Sequence, residues 1–283
     1  MKVIKARVMG FCMGVRRAVK LALDEAAAGS KAVYTLGPLI HNPQVLEDLK
    51  DRGVEILEKG RGDLTGATVL IRAHGVSPRV EKELLAAGAR IRDATCPRVK
   101  ASQMKARSLT RAGYCLFLAG EKDHGEVIGI TGYAPGCVVA ACPGEAEAAA
   151  EKRCRQSPAA KAALLAQTTL SADEYEAIGE GIRKWFPKLK IIDTICGATR
   201  DRQNALKELC GQVEAVIIAG GKTSANTRRL LSIAQSLGTP AWIVENEGEI
   251  PGEIGRYALV GLSAGASTPD SAIDTIERAL QAL

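Results

Sequence analysis

Three of the eight cysteines in this 283-residue chain share a local pattern that soft-metal chemistry could use. Cys12 in "RVMGFCMGVRRAVKLAL", Cys96 in "IRDATCPRVKASQMKARSL" and Cys196 in "IIDTICGATRDRQNALKEL" each follow a short β-prone run and open a basic, helix-like segment. A thiol at a helix start feels the positive end of the helix dipole, which favours the anionic, metal-binding form. Thiolates select iron–sulfur clusters, zinc or copper(I), and three ligands rather than four leave one metal position open to a substrate. For an isolated cysteine a small buried role is the better reading; repetition reverses that preference for these three. Cys115 and Cys210 read as core residues. Cys137, Cys142 and Cys154 fall outside the repeated frame, are expected to lack a helix-start placement and receive no function. No CxxC pair occurs, which weakens zinc-ribbon and thioredoxin readings.

Polar residues cluster in the same kind of place. All three histidines, His41 in "GPLIHNP", His74 in "RAHGVS" and His124 in "EKDHGEV", fall in loops that follow apolar runs. With Ser224, Asn226 and Ser267 they make a set of donors suited to phosphate oxygens. Asn42-Pro43 reads as an N-cap followed by proline at the first helical position, which puts His41 just before a helix N-terminus. Glu126, two residues after His124, is the carboxylate best placed to handle protons, against the alternative of an ordinary solvated glutamate. "AGGKTS" resembles a phosphate-binding loop, but the required first glycine is Val216. Nor does GxGxxG follow the first strand, so electrons, if used, are expected from a protein rather than a bound nicotinamide.

The elements that position these residues repeat as well. After each of the three cysteines an apolar run ends in a glycine, Gly37, Gly120 or Gly220, at spacings of 25, 24 and 24 residues. A further strand-to-loop junction closes each unit, at His74, at Thr168 and Thr169, and at Ser263 and Ser267. Alternating strand, polar loop and helix predicts an α/β fold of three pseudo-symmetric modules with mostly parallel sheets, at 1–95, 96–193 and 194–283, their strand-end loops converging on a central site. Gly10 and Gly14 are expected to let backbone approach whatever Cys12 holds. At 46% hydrophobic and 25% charged, with no apolar run near 18 residues, the chain reads as soluble and globular, with no membrane partner. The start "MKVIKARVMG" has no apolar signal core, and a cytoplasmic protein is expected. Aromatic content of 4% argues against a nucleic-acid surface, while the net charge of +6 suits an anionic ligand or an acidic partner, against the alternative, favoured on charge alone, of ordinary solubility charge.

The ordered motifs "GFCMGV", "GPLIHN", "AHGVS", "DATCP", "HGEV", "QTTLS", "TICGAT", "SANT" and "GASTPD" run through essentially the whole chain and resemble the LytB (IspH) family of 4-hydroxy-3-methylbut-2-enyl diphosphate reductases. The resemblance implies one [4Fe–4S] cluster per chain held by Cys12, Cys96 and Cys196, with the fourth iron left to the substrate. It also implies that His41, His74, His124, Ser224, Asn226 and Ser267 grip the diphosphate, that Thr168 orients the hydroxyl and that Glu126 feeds the proton that lets it leave as water. The reaction implied is reductive dehydroxylation to isopentenyl and dimethylallyl diphosphate, the last step of the methylerythritol phosphate route, with ferredoxin or flavodoxin as donor. Ala225 follows Ser224 where the family commonly carries a second serine, and a single neutral hydrogen bond is worth about 0.5–1.5 kcal/mol. Two competing readings are a non-redox hydro-lyase, set apart by needing no electrons, and a cluster-bearing redox sensor, which has no use for so many phosphate donors.

Overall fold

The computed structural model describes residues 1–28, 32–58 and 62–283. In chain order the first part holds β1 (Lys2–Lys5), α1 (Met13–Ala27), β2 (Val33–Thr35), α2 (Pro43–Asp51), β3 (Val54–Ile56), β4 (Thr68–Ile71), α3 (Pro78–Ala86) and β5 (Arg90–Asp93). Next come α4 (Pro97–Arg111), β6 (Cys115–Ala119), α5 (Gly125–Tyr133), β7 (Val138–Ala140), α6 (Pro143–Gln156), β8 (Ala162–Ala166), α7 (Ala172–Arg183) and β9 (Lys190–Ile191). The last part holds α8 (Gly197–Cys210), β10 (Ala215–Ala219), α9 (Ala225–Ser236), β11 (Ala241–Val244), β12 (Leu259–Ala264) and α10 (Asp270–Ala282). Among the described residues no helix is long and apolar enough to cross a membrane.

The chain packs as two compact units, one of Met1–Arg16, Ile40–Asp51 and Gly197–Leu283, the other of Arg17–Leu39 and Arg52–Cys196. The first unit contains one sheet, ordered β11-β10-β12-β1; the second contains two, ordered β3-β2-β4-β5 and β7-β6-β8-β9. Every pairing in all three sheets is parallel. The expected α/β repeat is therefore present as three sheets of one strand order. In each, the last edge strand leads into a cysteine: β1 into Cys12, β5 into Cys96, β9 into Cys196.

The frame of that repeat differs from the sequence expectation at the start of the chain. Strand β1 lies within the segment 1–95 but pairs with β12, Lys2 opposite Leu259 through Lys5 opposite Leu262. The start of the chain thus completes the sheet built by its end.

Strand composition explains the order. Central strands β4 "TVLI", β8 "AALLA" and β10 "AVIIA" are buried at every residue, as both faces of a parallel sheet covered by helices require. Edge strands β1 "KVIK" and β5 "RIRD" carry charges, which suits a row of backbone groups that must not recruit another strand. In the β6–β8 sheet one face packs Phe117 and Leu164 against Ile178, Ile182 and Phe186, and the other packs Leu116, Leu118 and Leu165 against Ala106 and Ile130. Ala106 belongs to α4, so Cys96 stands where the chain leaves one sheet of this unit and covers the next.

Tyr175 of α7 fastens the end of that sheet. Its buried hydroxyl lies 2.9 Å from the Leu164 carbonyl and 2.8 Å from that of Ile192, to which it donates, and burial pushes the phenol well above its ordinary pKa. Tyr175→Phe should lower the unfolding free energy by about 1 kcal/mol in denaturant titration; an unchanged midpoint would show that the hydroxyl does not hold this corner.

Candidate active site

Parallel strands deliver their polar loops to the same sheet edge, and in the second unit those loops meet. His74 follows β4 and His124 follows β6, and their rings lie edge to face with centroids 5.1 Å apart. His124 is the N-cap of α5: its Nδ1 accepts the Glu126 N–H at 3.2 Å, which puts the proton of a neutral ring on Nε2. That cap turns Glu126 inward, to 1% exposure. One carboxylate oxygen accepts the Thr168 N–H at 2.7 Å and the other accepts the Thr168 hydroxyl at 2.6 Å. A carboxyl and a hydroxyl so joined can hand a proton to a group bound at the hydroxyl. The carbonyl of the same threonine accepts the Cys196 N–H at 2.9 Å.

Gln167, fully buried, clasps the neighbouring loops. Its Oε1 accepts from the Glu121 N–H at 3.0 Å and its Nε2 donates to Thr169 Oγ1 at 2.8 Å. A Cβ on Gly120 would stand 2.8 Å from that same Oε1, which is why glycine ends this strand. Sequence inspection passed over Gln167; the only sign was one polar residue closing the apolar run "ALLAQ".

The first unit supplies the other candidates. Cys12 donates its N–H to Ala266 O at 3.1 Å, in the loop that carries half-buried Ser267. Gly10 has φ +73 and packs where a Cβ would come within 3.0 Å of Ile273 Cδ1, while Arg202 reaches its carbonyl at 2.5 Å. Gly10 is needed for the turn and for packing on α10. Asn42 caps α2 as expected, accepting the Val45 N–H at 3.0 Å, and the His41 carbonyl packs so closely on Gly221 that no side chain fits there. The glycine of the failed phosphate-loop motif therefore serves His41. Ser224 caps α9, accepting the Thr227 N–H at 3.4 Å and keeping its own proton to donate. Asn226 is 4% exposed and neither amide atom has a partner among the described residues. Buried amides are almost always hydrogen-bonded, so this one fits a polar ligand.

The three cysteines are anchored alike. Cys12, Cys96 and Cys196 donate their backbone N–H groups to Ala266, Ala73 and Thr168, at 3.1, 3.0 and 2.9 Å, each carbonyl lying in the loop after a central strand. All three are half-buried and outside disulfides. Each thiol is held at a helix start, a placement that suits a soft metal.

Residues 3–281 match the sequence model of the LytB protein family. The chain belongs to the LytB family. The 4-hydroxy-3-methylbut-2-enyl diphosphate reductase of Treponema denticola is 44% identical over 99% of each chain. That of Aquifex aeolicus is 41% identical over 99% of this chain and 96% of its own. A solved (E)-4-hydroxy-3-methyl-but-2-enyl diphosphate reductase, described as the terminal enzyme of the non-mevalonate pathway, covers 100% of both chains at 39% identity and a TM-score of 0.70. The E-1-hydroxy-2-methyl-but-2-enyl-4-diphosphate reductase of Plasmodium falciparum is 26% identical, with a TM-score of 0.90 over 98% of this chain and 87% of its own.

The remaining cysteines of this LytB chain divide by burial. Desolvation raises the thiols of Cys115 and Cys210 and pushes Cys137 up to about 12. Cys142 departs from expectation: it is exposed and is the N-cap of α6, followed by Pro143 as Cys96 is by Pro97. It follows β7, the edge opposite to the strands that lead into the anchored cysteines. At pH 8 a thiol of pKa near 12 is ionised only about one part in ten thousand. Iodoacetamide at that pH should therefore label Cys142 within minutes and Cys137 only on unfolding, read by peptide mapping; equal rates would contradict this partition.

Proposed function

We propose that the chain performs the reaction of its LytB relatives through the candidate residues described above. It is an oxidoreductase that converts (E)-4-hydroxy-3-methylbut-2-enyl diphosphate to isopentenyl and dimethylallyl diphosphate, closing the methylerythritol phosphate route. The observation that carries the chemistry is the buried Glu126–Thr168 pair joined to the backbone of Cys196. In the overall change one C–O bond breaks and one C–H bond forms; two electrons and two protons enter and water leaves.

Cys12, Cys96 and Cys196 hold one [4Fe–4S] cluster per chain, as the chemistry of three anchored thiols supports. When bound, such a cluster supplies electrons one at a time and Lewis acidity. The rest falls to side chains. His41, His74, His124, Ser224, Asn226 and Ser267 hold the diphosphate oxygens, the imidazoles and the Asn226 amide as N–H donors and the serines as O–H donors. Thr168 presents its hydroxyl to the substrate's hydroxyl, and Glu126 delivers the proton with which that group departs as water. Ala225, 3% exposed at the first position of α9, provides no second hydroxyl beside Ser224.

The modules of this arrangement run over 1–95, 96–193 and 194–283, with β1 lent to the last. The electron donor is a ferredoxin or flavodoxin, acidic proteins that a net charge of +6 attracts, and the compartment is the cytoplasm.

Purified without oxygen, the protein should be brown and carry about four irons and four sulfides per chain, by chemical assay; a colourless zinc protein would overturn the cofactor assignment. Glu126→Gln should keep that iron content while turnover falls on the order of a hundredfold to ten-thousandfold, the usual range for a lost proton donor. Unchanged turnover would move the proton role elsewhere.

A further inference from the structure

Arg72 follows β4 directly and precedes His74 by two residues. Its guanidinium occupies space left by two glycines of the same unit: a Cβ on Gly37 would stand 3.3 Å from Nη1 and one on Gly125 would stand 2.5 Å from Nη2. Gly37 opens the polar loop after β2, at φ +75, and Gly125 is the first residue of α5, between His124 and Glu126. Arg72 makes no hydrogen bond or ion pair among the described residues, and its Nε is buried.

For stability alone this placement is unfavourable on three counts. A cation rests against a helix N-terminus, whose partial charge is also positive. The guanidinium is partly desolvated, and burial lowers its pKa, although an arginine remains charged. Its buried Nε goes unused, where buried donors are normally paired. Each count reverses when an anion is present, because a guanidinium fork and a helix N-terminus together bind phosphate oxygens.

The geometry points to Arg72 as a further residue that holds the diphosphate of the substrate, from the side of His74 and His124. This assignment rests on the reaction given above and adds a permanent positive charge to the histidine, serine and asparagine donors.

The test uses Arg72→Gln and Arg72→Lys in the anaerobically purified holoprotein, with inorganic pyrophosphate as probe. Without pyrophosphate, Arg72→Gln should melt no lower than wild type. Pyrophosphate should raise the wild-type melting temperature and raise that of Arg72→Gln much less. KM for the diphosphate substrate should rise on the order of tenfold to a hundredfold, the range of a hydrogen bond to a charged group, with a far smaller change in kcat. Arg72→Lys, which keeps the charge but loses the fork, should fall between the two. A lower melting temperature for Arg72→Gln without ligand would assign Arg72 a structural role and overturn the proposal. So would wild-type pyrophosphate affinity and KM in that variant, a result that leaves the reaction standing. If wild type itself neither bound pyrophosphate nor turned over the substrate, the reaction and the Arg72 assignment would fall together.

Discussion

A carboxylate withdrawn from water must have both oxygens hydrogen-bonded or lose several kcal/mol, and Glu126, 1% exposed, obtains both bonds from one residue. Thr168 offers its N–H and its hydroxyl forward to that carboxylate and its carbonyl backward to the Cys196 N–H. The arrangement fixes much of the surrounding structure. Strand β8 must end where Thr168 can turn, α5 must begin where the His124 cap aims Glu126 inward, and Gln167 must hold the two loops in register. A displaced Thr168 would take two hydrogen bonds from the buried Glu126 and loosen the turn that carries a cysteine, so the placement of the carboxyl and of Cys196 depends on one residue.

Parallel pairing makes this construction repeatable. Each sheet has the same strand order, each last edge strand runs into a cysteine, and each cysteine N–H is tied to the loop after a central strand. Only the backbone device is constant. The loops differ in side chain, presenting histidine beside Cys96, threonine at Cys196 and serine beside Cys12, so one scaffold offers different donors around chemically equivalent thiols.

Much of this was legible because its marks are local. Buried runs such as "AVIIA", glycines at near-constant spacing and prolines after a capping residue each leave a trace within a few residues. The pairing of β1 with β12 leaves none, since its partners are some 257 positions apart in the chain, and a first module taken from residue 1 therefore includes a strand that pairs with the last. The same anchoring hid the helix-start position of Cys142, because the frame compared cysteines rather than strand edges. The burial of Glu126 depends on Thr168, 42 residues away, and a glutamate at a helix start otherwise reads as solvated. Arg72 went unnoticed for a like reason: a single arginine after a strand is unremarkable until Gly37 and Gly125 are seen to make room for it.

The central claim is that electrons and a proton are delivered to an allylic diphosphate at a site organised by Glu126 and Thr168. Anaerobic turnover of (E)-4-hydroxy-3-methylbut-2-enyl diphosphate with a chemical reductant tests it most directly, counting both products against electrons consumed. Isopentenyl and dimethylallyl diphosphate together should equal half the electrons consumed, and none should form without reductant. Conversion that proceeds without reductant, or binding without any product when reductant is present, would contradict the account.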